Sequence, residues 1–367
     1  MTAGISLIPE PALIERRYSC SIQVFPQPET AQVELAGVKD SSGKDQGLLI
    51  LLLGDGRQLL SLTGVALLVS GCFAIFLAMR REFLPHDVAF LGMNGEQLCR
   101  FAGCRIVGFM FHDRVAFGGT LIAVAILYLW LAAGPLREGE RWAWWAFAVS
   151  GCAGFISFLA YLGYGYLDTW HGTATLALLP VFLMGLLRTS KDARVRPCRT
   201  SALGRDASAI LRTGRCLLLA TAAGVIAAGA TILAVGMTIV FVPQDLQFMG
   251  LDRDALHAIS PRLIPLIAHD RAGFGGGLVA TGILLVFCVW YAPPGRAYRE
   301  AILAAGLAGF GCAIGVHYAE GYMDMSHLAP AIIGALIFLT GAACEVIDAR
   351  RNPDSISVRT LNGRNLS

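Results

Sequence analysis

Eight long apolar runs constrain the fold of this chain more than any other feature. A helix needs about 20 mostly apolar residues to cross a bilayer, and the runs lack the strict alternation of a membrane β-strand. We therefore predict an all-α polytopic membrane protein with eight transmembrane helices, over residues 59–79, 115–133, 142–163, 173–187, 216–242, 272–291, 301–319 and 328–347.

The composition identifies the solvent of this chain. Apolar residues make up 55% and charged residues 15% of the sequence, and the mean hydropathy is +0.61, whereas about 25% of a soluble domain is charged. We expect the lipid bilayer as the main partner and a small-molecule or lipid-like substrate. The net charge of +3 is small and no basic stripe occurs, so we expect no nucleic-acid partner.

The distribution of Lys and Arg predicts the orientation. Residues 188–215 carry eight Lys and Arg against two Asp, and basic loops stay in the cytoplasm. Eight spans then place both termini in the cytoplasm, with the chain in the cell membrane. We divide the chain into a poorly ordered cytoplasmic extension without a secretory signal, a first membrane unit, a basic linker, a second membrane unit and a cytoplasmic tail, at residues 1–57, 58–188, 189–215, 216–347 and 348–367.

Three motifs occur twice, in the same order. HDRVAFGG begins at His112 and HDRAGFGG at His269, and the other two pairs are FLPHDVAFLG with FVPQDLQFMG and GYLDTWH with GYMDMSH. This recurrence predicts a tandem 4+4 repeat of two four-helix units. Because four is even, the units are parallel and related by an approximate two-fold axis along the membrane normal. All the motifs then lie on the extracytoplasmic side.

The recurring ionisable residues predict a polar site. Such groups are costly at membrane depth and are usually functional or paired, and imidazole with carboxylate can bind zinc, iron or manganese. The densest set is His-x2-Glu-x3-Asp-x2-His, which ends at His327. Glu320 and Arg271 are the catalytic candidates, and Arg271 would orient an anionic group. The metal-ligand candidates are His112, His171, His269, His317, Asp324 and His327.

Capping and packing offer a structural alternative for the same residues. An Asp at a helix start is a preferred N-cap, and the Arg residues of the two HDR motifs could pair with aspartates or snorkel to the interface. The glycine pairs could allow close helix contacts, and Tyr166 and Tyr322 could belong to an interfacial belt. Glu320 could pair with Arg271 or Arg262. The N-cap candidates are Asp113, Asp168, Asp270 and Asp324, and the loop residues Asp87 and Asp245 are further partners for the arginines.

The cysteines add one expectation. No CxxC pair occurs, which argues against thiol-redox and zinc-finger sites. Cys99 and Cys104 share one polar loop and could form a disulfide in an oxidising compartment.

Four functions fit these features. The first is a membrane-embedded metal-dependent enzyme, hydrolytic or oxidative, with its site on the outer side. The second is a transporter or channel with a pore on the pseudo-two-fold axis. The third is a haem or quinone redox subunit, in which two histidines at matching depth bind a b-type haem, although haem is the less favoured cofactor. The fourth is a structural or assembly subunit.

Overall fold

A computed structural model describes residues 54–159, 166, 169–195 and 207–352, and for residues 158, 159, 170, 171 and 191–195 it describes only the backbone. The predicted N-terminal extension lies almost entirely outside these residues, as does most of the C-terminal tail. Regular secondary structure in the described residues is entirely helical, which confirms the predicted all-α class.

The described residues form long helices and two pairs of short helices. Seven of them are long and apolar enough to cross a membrane, counted over the described residues, and these are α1, α4, α6, α7, α10, α11 and α12. The remaining long helix, α5, has 19 residues and corresponds to the third predicted run. The helices are α1 (Arg57–Arg80), α2 (Pro85–Leu91), α3 (Gly95–Cys99), α4 (Arg105–Ala133), α5 (Arg141–Leu159), α6 (Thr169–Val195), α7 (Ala209–Met237), α8 (Pro243–Met249), α9 (Arg253–Ile259), α10 (Leu263–Tyr291), α11 (Arg296–Glu320) and α12 (Met325–Arg351).

Helices α4 and α10 begin well before the predicted runs at residues 115 and 272. Their N-caps are Cys104 and Arg262, so both HDR motifs lie inside a helix, and the second lies about 10 Å from the start of α10 at 1.5 Å per residue. The prediction was wrong here because it treated the charged residues as a boundary, whereas the helix contains them. The N-cap alternative is therefore wrong for Asp113 and Asp270.

The N-cap alternative is confirmed at the start of α12. The side chain of Asp324 accepts a hydrogen bond from the backbone N–H of His327 at 2.9 Å. Asp168, the corresponding residue of the first unit, lies outside the described residues.

The predicted basic linker is partly helical. Helix α6 continues to Val195, and α7 begins at Ala209. Residues 196–206 lie outside the described residues.

Helices α4 and α10 form the centre of the bundle. Helix α1 packs on α4 and α7 packs on α10. Glycines allow these contacts: a Cβ atom added at Gly118 would lie 2.9 Å from the Gly71 carbonyl oxygen, and one at Gly275 would lie 2.8 Å from that of Gly229. Both distances are too short for a Cβ atom, so the expected close approach at the glycine pairs is confirmed.

Two further contacts cross between the two halves of the chain. Helix α11 packs on α4, and α5 packs on α10. Side chains near the start of α4 therefore meet side chains near the end of α11, although about 200 residues separate them along the chain.

The short helices cover the end of the bundle at which α4 and α10 begin. A buried apolar cluster at this end joins the first turns of α4 and α10 to the segments around α2, α3, α8 and α9. The expected disulfide between Cys99 and Cys104 is present in this cover. The polar residues beneath this cover are buried, and His112 is 3% exposed and Arg271 5% exposed.

Candidate metal site

Three histidines from three helices converge beneath this cover. His112 lies on α4, His317 near the end of α11 and His327 in the first turn of α12. One ring nitrogen of each lies within 4.8 Å of those of the other two. His112 and His317 are the closest pair, with their Nε2 atoms 3.1 Å apart.

The partners of the other ring nitrogens decide which tautomers are present. Nδ1 of His317 lies 2.6 Å from the carbonyl oxygen of Ala313, and a carbonyl oxygen only accepts. Nδ1 of His112 lies 3.1 Å from Oδ1 of Asp113, a carboxylate whose other oxygen pairs with an arginine. Both Nδ1 atoms therefore carry the hydrogen in the neutral rings, and both Nε2 atoms carry lone pairs.

Two lone pairs that face each other across 3.1 Å repel unless a proton or a metal ion lies between them. Zinc binds imidazole nitrogen at about 2.0–2.1 Å in tetrahedral geometry, which places two ligand nitrogens about 3.3 Å apart. The separation of the Nε2 atoms of His112 and His317 is close to that value. The bond from His112 to a carboxylate also matches the outer partners that usually orient metal-binding histidines.

Arg271 fixes the carboxylate beside His112. Its Nε donates to Oδ2 of Asp113 at 3.2 Å, and its Nη1 contacts Oδ2 of Asp245 at 2.8 Å and the carbonyl oxygen of Val240 at 2.6 Å. The guanidinium is thus already bonded to two carboxylates. In this arrangement it orients Asp113 and does not present a free charge to a ligand.

Tyr322 continues this network to the third histidine. Its hydroxyl donates to Oδ1 of Asp245 at 2.8 Å, and its ring stacks on that of His327 at a centroid distance of 4.8 Å. Burial raises the pKa of the Tyr322 hydroxyl, and the charge of Asp245 raises the same pKa further, so the hydroxyl stays a donor. The expected interfacial position is wrong, because Tyr322 is 1% exposed.

Arg114 of the first HDR motif makes carboxylate contacts that correspond to those of Arg271. Nε of Arg114 donates to Asp270 at 2.9 Å, and its Nη1 donates to Asp87 at 2.8 Å. Tyr166, which is also buried, donates to Asp87 at 2.8 Å. Burial alone would raise the pKa of Asp87, but the charge of Arg114 and the bond from Tyr166 outweigh it and hold this pKa below its ordinary value. The alternative in which the HDR arginines pair with aspartates is confirmed.

Two other predicted ligands are His269, from the second HDR motif, and His171, from the GYLDTWH motif. The ring of His269 lies 5.0 Å from that of Tyr166, as the ring of His112 lies 5.4 Å from that of Tyr322. The structure places His269 on α10, outside the group of three histidines. The side chain of His171 is outside the described residues.

Glu320 and Asp324 also lie outside the group of three histidines. Oε2 of Glu320 accepts from Arg81 at 2.9 Å, so its partner is Arg81 and not the expected Arg271 or Arg262. Asp324 is occupied as the cap of α12. The sequence spacing placed both residues beside the histidines, but helix α11 ends at Glu320 and the positive φ of Gly321 turns the chain before Asp324.

A cavity of about 690 Å³ lies beside the three histidines, between α4, α7, α10, α11 and α12. The histidines, Asp113 and Arg271 form one end, and the rest of the lining is mostly apolar. A second cavity, of about 600 Å³, lies between α1, α4, α5, α6 and α10 and contains His269, Asp270 and Arg114. Each cavity therefore has one HDR histidine in its wall.

Sequence reasoning gave Asp245 only as a partner for an HDR arginine, and it missed the supporting role of Tyr322. A signal was available, because both recur at matching positions of the duplicated motifs, as Asp87 and Tyr166. The contact between His112 and Asp113 was also detectable, since the two are adjacent. No sequence pattern near either helix indicates the contact between α4 and α11.

Comparison of this chain with protein-family models, curated proteins and solved structures gives no match. The functional interpretation therefore depends on the geometry of the site.

Proposed function

We propose that this chain is an integral protein of the cell membrane built from two parallel four-helix units. The paired contacts of Arg114 and Arg271, with bond lengths that agree within a few tenths of an ångström, support the duplication. Helix α5 is the eighth span in this proposal, and its 19 residues are about 28 Å long, close to the thickness of the hydrocarbon core.

The proposed orientation places both termini in the cytoplasm and the histidines on the outer side. The basic residues between α6 and α7 support it. The disulfide of Cys99 and Cys104 lies in the cover over the histidines, and disulfides persist in oxidising compartments. Two independent features thus favour the same orientation.

We further propose that His112, His317 and His327 hold one zinc, iron or manganese ion, and that the protein is a metal-dependent membrane-embedded enzyme. The observation that carries this proposal is the pair of Nε2 lone pairs facing each other at 3.1 Å. Catalytic zinc sites typically have three protein ligands and one open position, and the cavity lies beside these three. A metal ion bound there would activate a water molecule or polarise a substrate oxygen.

The other residues of the site hold the ligands in place. Asp113 fixes the tautomer and orientation of His112, and Arg271 fixes Asp113. Tyr322 packs against His327 and is held by Asp245. In this proposal Arg271 is a positioning residue. Glu320 holds the end of α11 in place through its ion pair with Arg81.

The geometry disfavours haem between His112 and His317. Two axial imidazoles lie on opposite faces of a porphyrin, which must fit between them. The Nε2 atoms of these residues are in direct contact at 3.1 Å, so no macrocycle fits between them.

Metal analysis of the detergent-purified protein, with an absorption spectrum, tests the proposal. We expect about one transition-metal ion per chain and no Soret band. His317→Ala and His327→Ala should lose the metal, whereas His269→Ala, which removes the HDR histidine of the other cavity, should retain it. A metal-free wild-type protein that also takes up no zinc, iron or manganese would refute the proposal, and so would equal retention in all three variants.

A further inference from the structure

The cavity beside the histidines opens toward the side of the bundle. Five residues of α7, Ala220 among them, line it and are also exposed, although α7 is a candidate membrane span. An exposed side chain on such a helix faces lipid. The wall of the cavity is therefore continuous with the lipid-facing surface at Gly224, Ala227, Ala228 and Thr231.

Helices α7 and α12 are close at one end and leave space beside the cavity. At the end far from the histidines, a Cβ atom added at Gly214 would lie 2.9 Å from Cβ of Cys344 and from the carbonyl oxygen of Gly341. At Gly224, nearer the histidines, no atom lies within 4 Å of an added Cβ atom. The gap therefore lies at the level of the cavity.

The cavity is polar at the histidine end and apolar beyond it. The hydroxyls of Thr120, Thr221 and Thr281 donate to carbonyl oxygens of their own helices at 2.9–3.0 Å, so they offer no free donor to an occupant. From His112 to Ala123 on α4, both of which line the cavity, the wall is about 16 Å long at 1.5 Å per residue. A pocket of this shape fits a hydrocarbon chain.

The charged residues of the lining are already paired. Arg271 and Asp113 bond to each other, and Arg271 also bonds to Asp245. The headgroup of an occupant therefore meets the three histidines and not a free guanidinium.

We infer that the substrate is a single-chain amphiphile that enters sideways from the bilayer between α7 and α12. Its hydrocarbon chain lies in the 690 Å³ cavity, and its headgroup reaches the metal held by the histidines. This inference rests on the proposed metal-dependent function and adds the substrate class and the entry route.

Two tryptophan variants test the entry route. Gly224→Trp places an indole in the gap. Gly311→Trp is the matched control, because Gly311 is an exposed glycine of α11 with the same open space, and it does not line the cavity. The full-length protein is purified in detergent and loaded with cobalt(II), whose visible absorption reports a change in its ligands. Dodecanehydroxamic acid and acetohydroxamic acid serve as metal-binding probes with and without a chain.

We expect Gly224→Trp to weaken binding of dodecanehydroxamic acid at least tenfold and to leave acetohydroxamic acid unchanged. Gly311→Trp should change neither. Equal binding of the long probe by wild type and Gly224→Trp would overturn the inference, as would an equal loss of both probes. If wild type holds cobalt and binds acetohydroxamic acid in those cases, the metal site stands and only the inference fails. A wild type that holds no cobalt would refute the proposed function itself.

Discussion

Asp113→Asn separates the metal role of the buried carboxylates from their structural role. Asp113 bonds to His112 at 3.1 Å and to Arg271 at 3.2 Å, and it is 3% exposed. Loss of an outer partner typically lowers metal affinity 10- to 100-fold, which is about 1.4–2.8 kcal/mol. Arg271 keeps its bond to Asp245, so we expect a further stability cost of about 1.5–3 kcal/mol, the range for one hydrogen bond to a charged group.

Asp270→Asn is the matched control. It removes the carboxylate that Arg114 contacts at 2.9 Å, and Arg114 keeps Asp87. Both variants should lose similar stability without metal, measured by thermal unfolding in detergent. Only Asp113→Asn should lose zinc affinity, measured by competition with a chromophoric chelator. Equal zinc affinity in the two variants would refute the role assigned to Asp113.

Three other predictions concern the surroundings of the site. Replacing Cys99 and Cys104 by Ser should cost about 2 kcal/mol from the loop-closure relation for so short a loop, and alkylation with and without reductant should show both thiols blocked in the untreated wild type. Arg215→Met should lower the free energy of unfolding by about 3–5 kcal/mol, because it leaves Glu345 buried without its 3.1 Å partner. A second substitution, Glu345→Leu, should restore most of this stability. Unfolding curves that show no such recovery would contradict the pairing. The pKa of Asp87 is lowered from 3.8 in the folded protein, so the ionised carboxylate stabilises the fold above that pH. This contribution to stability should be lost as pH falls through the lowered pKa. A pH series of unfolding midpoints on wild type and Asp87→Asn would show the loss in wild type alone.

The sequence predicts the helical elements well because each long helix is an apolar run of bilayer length. Its largest boundary errors fall at the starts of α4 and α10. Both helices contain a buried His-Asp-Arg segment. Analysis of hydropathy places the end of a helix at such residues. The charges are accommodated because Arg114 and Arg271 find carboxylates on other segments, and those contacts depend on the packing of distant helices.

The site was predicted only in part, because it too depends on contacts between distant segments. Spacing along one segment favoured Glu320 and Asp324 as neighbours of His327, since local patterns show only which residues share a segment. In the folded chain, Glu320 lies before the Gly321 turn and pairs with Arg81, while the carboxylate of Asp324 caps α12. The nearest imidazole to His317 comes from His112 on α4. The duplicated motifs identified the right histidine on α4, but not its partner on α11.

X-ray absorption at the zinc edge of zinc-loaded protein tests the central claim most directly. We predict three imidazole nitrogens and one further light atom at about 2.0–2.1 Å from the ion, with the imidazole signal reduced in His327→Ala. A shell of sulfur at about 2.3 Å, or an unchanged spectrum in that variant, would contradict the assignment of His112, His317 and His327 as the ligands.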